Sequence, residues 1–174
     1  GNTVAFKHVI VKDKQLPPDS TGTAIDFRLA LTQEFRTLAS LRHPNIISVL
    51  DYGFDENFEP YFTMELLTDS YNIIEAGIDQ PFDIQIDLLV QTLQALVYLH
   101  RRDIIHRDLK PDNVHVVDGR VKVLDFGLAA QRRYLESRED GSRSGTLEYM
   151  APELLTGSPA SKASDLYAVG VIAY

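Results

Sequence analysis

The stretch from Ile104 to Gly127, IIHRDLKPDNVHVVDGRVKVLDFG, limits the possible folds of this chain more than any other. At its centre Asp118-Gly119 separates two short apolar runs, NVHVV and RVKVL. Asp-Gly between alternating runs predicts a β-hairpin, because glycine accepts positive φ in the turn. A polar loop stands on each side of the hairpin. Turn chemistry accounts for Pro111-Asp112-Asn113 and for Asp118-Gly119. It does not account for Asp108 and Asp125, which stand beside strongly apolar strands where a charge is costly.

The rest of the chain reads as strands first and helices later. TVAFKHVIV is rich in β-branched residues and predicts a strand. KDKQLPPDSTG follows as a loop. From Ala24 to Leu41 the residues Phe27, Leu31, Phe35, Leu38 and Leu41 recur at steps of three and four, which predicts an amphipathic helix. Pro44 disfavours helix for the residue before it and ends that element. IISVLDYGF and PYFTMELL predict a hairpin around DENFE. A polar connector, TDSYNIIEAGIDQP, has room for one short helix. A long core helix is predicted from Phe82 to Arg101, with Ile86, Leu89, Leu93, Leu96 and Leu99 on or near one face. APELLTG reads as a helical turn, and SKASDLYAVGVIAY as a further helix. There is no internal repeat. The pattern predicts two unequal lobes joined near MELLTD, and a cleft between lobes is a common ligand site.

Composition removes several classes. The chain has no cysteine among its 174 residues, so neither a disulfide framework nor a thiolate metal site can form. That fits a reducing, cytoplasmic compartment. No apolar run approaches the roughly 18 to 20 residues that span a bilayer. A net charge of −8 argues against a nucleic-acid-binding surface. The five histidines show no zinc spacing; His8, His43 and His100 read as packing or surface residues.

Four local patterns stand in one order: VAFK at 4–7, HRDLKPDN at 106–113, DFG at 125–127 and APE at 151–153. Together they resemble the signature set of protein kinases, and the resemblance runs the length of the chain. It implies an α+β, two-lobe fold, incomplete at both ends. A small β-rich lobe with one helix would cover residues 1–66, without a glycine-rich loop. A larger, mostly helical lobe would cover 67–174 and stop in its central helix. A piece of this kind is expected to be unstable and at most weakly active by itself, and further domains are expected in the parent chain.

The resemblance also implies roles. Asp108 would orient a substrate hydroxyl and accept its proton. Lys110 would balance charge on the γ-phosphate of ATP. Asn113 and Asp125 would supply oxygen ligands to Mg²⁺. Lys7 would face the α- and β-phosphates, with Glu34 on the following helix as its partner. Ala5 would roof the adenine and Met64 would stand at the back of its pocket. The Glu65 carbonyl and the Leu67 N–H would pair with the adenine edge. His115 stands where similar kinases carry an apolar residue beneath the base, and its ring is expected to stack there. His106, Phe126 and Leu38 would form an apolar column, and Asp165 would bond the backbone of the HRD loop. Arg107 would grip a phosphate on Ser142 or Ser144. LKP after Asp108, with Thr146, points to a Ser or Thr acceptor on a protein substrate. The competing readings are a kinase-like scaffolding module without catalysis, a small-molecule phosphotransferase of related fold, and an unrelated α+β domain with accidental motifs.

Overall fold

A computed structural model describes residues 3–8, 35–56, 60–126 and 147–174. The β-branched run at the start forms β1 (Val4–His8), which pairs antiparallel with β3 (Pro60–Glu65). β2 (Val49–Phe54) pairs with the other edge of β3, so the order is β1-β3-β2. The register sets Ala5 opposite Met64 and Lys7 opposite Phe62. Cross-strand partners share a face, so these four side chains lie on one side of the sheet. Residues 35–40 form helix α1 and bring Phe35 and Leu38 to the core. The Phe35 ring lies 5.5 Å from Phe62 and 6.1 Å from Tyr52. Phe27, Leu31 and the earlier part of the expected helix lie outside the described residues.

The chain leaves β3 at Glu65 and enters β4 (Tyr71–Asn72), a two-residue strand that the sequence pattern did not reveal. β4 pairs with β5 (Val114–Val117), and β5 with β6 (Arg120–Val123). The turn between β5 and β6 has φ of +49° at Asp118 and +72° at Gly119, the left-handed pair that a two-residue hairpin uses. Asn72 caps α2 (Ile73–Gly77) through a capping box with Glu75. Then follow α3 (Phe82–His100), a 3₁₀ turn at Pro111–Asn113, another at Leu147–Tyr149, α4 (Pro152–Leu155) and α5 (Lys162–Ala173). Ser161 caps α5.

The buried face of α3 keeps Leu96 and Leu99 as expected, with Leu89 partly buried, but is rotated away from Ile86 and Leu93. It carries Leu88, Thr92, Ala95, Leu96 and Leu99, whereas Ile86 and Leu93 are 42% and 37% exposed. Counting only large apolar residues misses the part of this face made by Thr92 and Ala95. Ala95 is small enough for close packing, and Thr92 satisfies its hydroxyl on the Leu88 carbonyl at 2.9 Å.

The loop after α1 is sewn to β6. Ile46 and Val123 form a parallel bridge. The Val123 N–H donates to the Asn45 carbonyl at 2.9 Å, and the Ile47 N–H donates to the Val123 carbonyl at 3.0 Å. Asn45 Nδ2 reaches Gln91 Oε1 on α3 at 2.8 Å and the Val121 carbonyl at 3.1 Å. The Val121 N–H donates to the same Gln91 oxygen at 2.9 Å. Alongside, the Arg42 N–H donates to the Tyr98 hydroxyl at 2.9 Å, and the His43 ring lies 4.9 Å from that of Tyr98. One apolar core therefore continues from Leu41, Ile46 and Ile47 to Val121, Val123, Leu96 and Leu99.

Candidate active site

The HRD loop is held from below by one carboxylate. Asp165, on the first turn of α5, is 2% exposed. Its Oδ2 accepts from the His106 N–H at 2.9 Å and from His100 Nε2 at 2.8 Å. Its Oδ1 accepts from the Arg107 N–H at 2.9 Å. A buried carboxylate needs several donors to offset its desolvation, and these three supply them. Arg107 has φ of +74°, a left-handed conformation that costs a non-glycine residue about 1–2 kcal/mol.

His106 ties this loop to the segment after β6. Its Nε2 donates to the Leu124 carbonyl at 2.9 Å, and its Nδ1 faces the Asp108 N–H at 3.4 Å. Both contacts fit the neutral ring. Burial pushes its pKa below the usual histidine range, and the nearby carboxylates of Asp165, Asp108 and Asp125, with the Leu124 carbonyl bond, only partly offset this. The ring meets Phe126 edge-on at 6.3 Å. Leu38 and Phe126 are buried in the same core.

The polar residues of the two loops converge at one end of the β5–β6 hairpin. Asn113 Nδ2 donates to the Asp108 carbonyl at 2.7 Å, and the Leu124 N–H donates to the Asn113 carbonyl at 2.9 Å. Lys110 Nζ lies 3.7 Å from Asp108 Oδ2. Asp125 takes a left-handed backbone with φ of +56°. Its carboxylate forms an ion pair with Lys7 of β1, across 118 residues of sequence. Both side chains are about one-third exposed (34% and 35%), so solvent screens the pair. The expected partner of Lys7, Glu34, lies outside the described residues, as do Ser142, Ser144 and Thr146.

Beside these loops the sheet and the connector contribute a more apolar edge. Ala5 and Met64 are cross-strand partners, and Met64 is buried. Leu67 is half-buried on the connector. His115 is half-buried on β5 with both ring nitrogens engaged. Nε2 donates to the Asp112 carbonyl at 3.1 Å, and Nδ1 meets the Ser70 hydroxyl at 3.0 Å. Glu65 Oε1 accepts from Lys122 Nζ at 2.8 Å and from the Ser48 N–H at 3.0 Å.

Among the described residues no cluster of three or more His, Cys, Asp or Glu could form an all-protein metal cage. Mg²⁺ does not need one, since it takes one or two protein oxygens and completes its shell with water and phosphate. Asn113 commits its amide nitrogen to Asp108 and keeps Oδ1 as a hard oxygen donor. Asp125 adds a partly exposed carboxylate. This donor set fits Mg²⁺ and would suit zinc poorly.

Sequence reasoning missed Ser70 and Lys122, which bond His115 and Glu65 at the edge of this site, and Asn45 and Gln91, which tie the loop after α1 and helix α3 to β6. Strand alternation in RVKV places Lys122 opposite His115, so that signal was present. Gln91 gave none, because a glutamine on a long helix reads as solvent-facing. His100, expected in packing or at the surface, is a bonding partner of Asp165.

A fold of this kind, with two polar loops meeting a strand lysine, defines a protein kinase domain. The chain belongs to that family: the family model described as "Protein kinase domain" matches residues 1–174. Among curated relatives it is 34% identical to Serine/threonine-protein kinase pkn3 of Myxococcus xanthus, across all of this chain and 38% of that protein. It is 37% identical to Serine/threonine-protein kinase PknA of Mycobacterium tuberculosis, over 81% of this chain and 34% of that one. It is 40% identical to DNA damage-responsive serine/threonine-protein kinase RqkA of Deinococcus radiodurans, over 84% of this chain and 23% of that one. The chain thus spans well under half the length of these relatives. The family generally uses ATP and Mg²⁺. No helix among the described residues is long and apolar enough to cross a membrane.

Proposed function

We propose that the protein transfers the γ-phosphoryl group of ATP to a Ser or Thr hydroxyl of a protein substrate. One observation carries this reading: Lys7 of β1 and Asp125 of the loop after β6 form an ion pair while Asn113 locks to Asp108, which gathers these polar groups at one end of the β5–β6 hairpin. Phosphoryl transfer asks a protein mainly for positioning and for charge stabilisation. The names of the relatives support Ser or Thr as acceptor.

In this reading Asp108 accepts the hydroxyl proton as the oxygen attacks the γ-phosphorus. The bond from that phosphorus to the β,γ-bridging oxygen breaks, and the electron pair leaves with ADP. Lys110 balances the charge that develops on the γ-phosphoryl oxygens. Lys7 contributes a fixed positive charge toward the α- and β-phosphates. Asn113 and Asp125 would hold Mg²⁺, which when bound neutralises phosphate charge. Ala5, Met64, the Glu65 carbonyl, the Leu67 N–H and His115 would surround the adenine. Glu34 is proposed as a further partner of Lys7. A cytoplasmic setting suits an ATP consumer, and the greater length of the relatives supports additional domains in the parent chain.

The decisive comparison is between the unaltered full-length protein and Asp108→Asn, with labelled ATP and a generic protein acceptor. Loss of a general base of this type lowers kcat by about 10²- to 10⁴-fold. Nucleotide affinity should persist. Equal labelling by both proteins, or none by the unaltered one, would sink the assignment.

A further inference from the structure

Five residues, 66–70, join β3 to β4, and they carry or border the proposed adenine-pairing groups. A connector this short still has many backbone states, and ordering it on binding would cost affinity. Both of its ends are fastened to one cross-strand pair of the β5–β6 hairpin. His115 and Lys122 are direct register partners, so their side chains project from the same face. Lys122 Nζ takes the upstream end through Glu65 Oε1 at 2.8 Å. The His115 ring takes the downstream end through the Ser70 hydroxyl at 3.0 Å.

Each fastening is itself anchored. Glu65 exchanges two bonds with Ser48: its carboxylate accepts the Ser48 N–H, and its own N–H donates to the Ser48 carbonyl, both at 3.0 Å. The carboxylate thereby stands in for a ladder partner at the end of the β2–β3 pairing, one pair beyond Val49 and Met64. The His115 ring is fixed from behind by the Asp112 carbonyl. Asp69, next to Ser70, has φ of +52°, so the chain turns sharply into the second fastening.

We infer that Lys122 and Ser70 are positioning residues that preset the connector for recognition of the nucleobase. They act through Glu65 and His115 and touch no phosphate-binding group. The inference rests on the nucleotide-binding reading above and deepens it. It makes base recognition separable from triphosphate recognition. Loosening either fastening weakens binding of a nucleotide and leaves binding of a base-free triphosphate alone.

The test uses the full-length protein, with ATP and inorganic tripolyphosphate as probes in calorimetry and ATP in steady-state kinetics. Lys122→Met should raise Kd and KM for ATP by about three- to tenfold, the loss of one charge-assisted bond in a partly exposed setting. Tripolyphosphate affinity and kcat should stay within about twofold. Lys122→Arg should restore ATP affinity, because a cation again reaches Glu65. Ser70→Ala is a milder variant that reads the other fastening even if Lys122→Met fails to fold, and its shift should have the same base-selective form. Unchanged ATP affinity in the soluble variants overturns the inference, and so does an equal loss for ATP and tripolyphosphate. Failure of the unaltered protein to bind either probe removes the kinase reading itself, and the inference with it.

Discussion

Asp165 fixes Arg107: the buried carboxylate accepts the backbone N–H of a residue whose φ is +74°, at 2.9 Å. The next residue in the chain is Asp108, so the direction in which the proposed base leaves the backbone depends on α5. Asp165→Ala removes three accepted bonds at once; the buried His106 N–H left bare costs about 1–3 kcal/mol, and the part-buried His100 and Arg107 donors add less. We expect a large fall in thermal midpoint and in kcat together. An intact melting curve with normal turnover would show that Arg107 holds its conformation unaided.

The ion pair between Lys7 and Asp125 separates two charges with different expected duties. Asp125→Asn should weaken nucleotide binding chiefly when Mg²⁺ is present, whereas Lys7→Met should weaken it with or without the metal. Titrations with ATP, in Mg²⁺ and in EDTA, measure both. Identical responses of the two variants would refute the division of labour.

Asn45→Ala should destabilise the fold without touching the proposed chemistry. The amide satisfies both Gln91 and the Val121 carbonyl, and a buried acceptor left bare costs about 1–3 kcal/mol. Chemical denaturation gives the figure directly. A loss below about 0.5 kcal/mol, the usual scale of neutral surface changes, would mean that this junction contributes little.

Acid should weaken the fold from near neutrality downward. Burial lowers the pKa of His106, and burial with the neighbouring Arg102 lowers that of His43, each from the ordinary value of 6.5. Between the folded and unfolded values the unfolded chain binds more protons, so stability rises with pH there. The contribution is complete above 6.5 and is lost as pH falls through the lowered folded values. Urea melts between about pH 5 and 8 should show this slope, and His43→Asn should reduce it. Stability that increases on acidification would contradict both shifts.

The sequence exposed much of this architecture because its signals were local. Asp118-Gly119 announced the β5–β6 hairpin, and the order of the four motifs announced the family. The helix in SKASDLYAVGVIAY was equally readable. Asp165 could be assigned to the HRD loop only by resemblance, since 58 residues separate it from Arg107. On α3, Leu96 and Leu99 were readable as core, whereas Thr92 and Ala95 escaped because a hydroxyl and a lone methyl give little hydrophobic signal. β4 is too short for any periodicity, with only two residues. The contacts of Gln91, Ser70 and Glu65 are side-chain events between distant segments, and spacing along a chain contains no trace of them.

The bridge between Ile46 and Val123 has a mechanical meaning. Val123 lies two residues before Asp125, and its N–H and C=O are both bonded to the loop that follows α1. These two bonds splice the segment that leads into β2 directly onto the residue pair that precedes Asp125. Asp125 thus stands two residues from a backbone splice, whereas Lys7 rides on the edge strand β1, whose described strand pairing is to β3 alone.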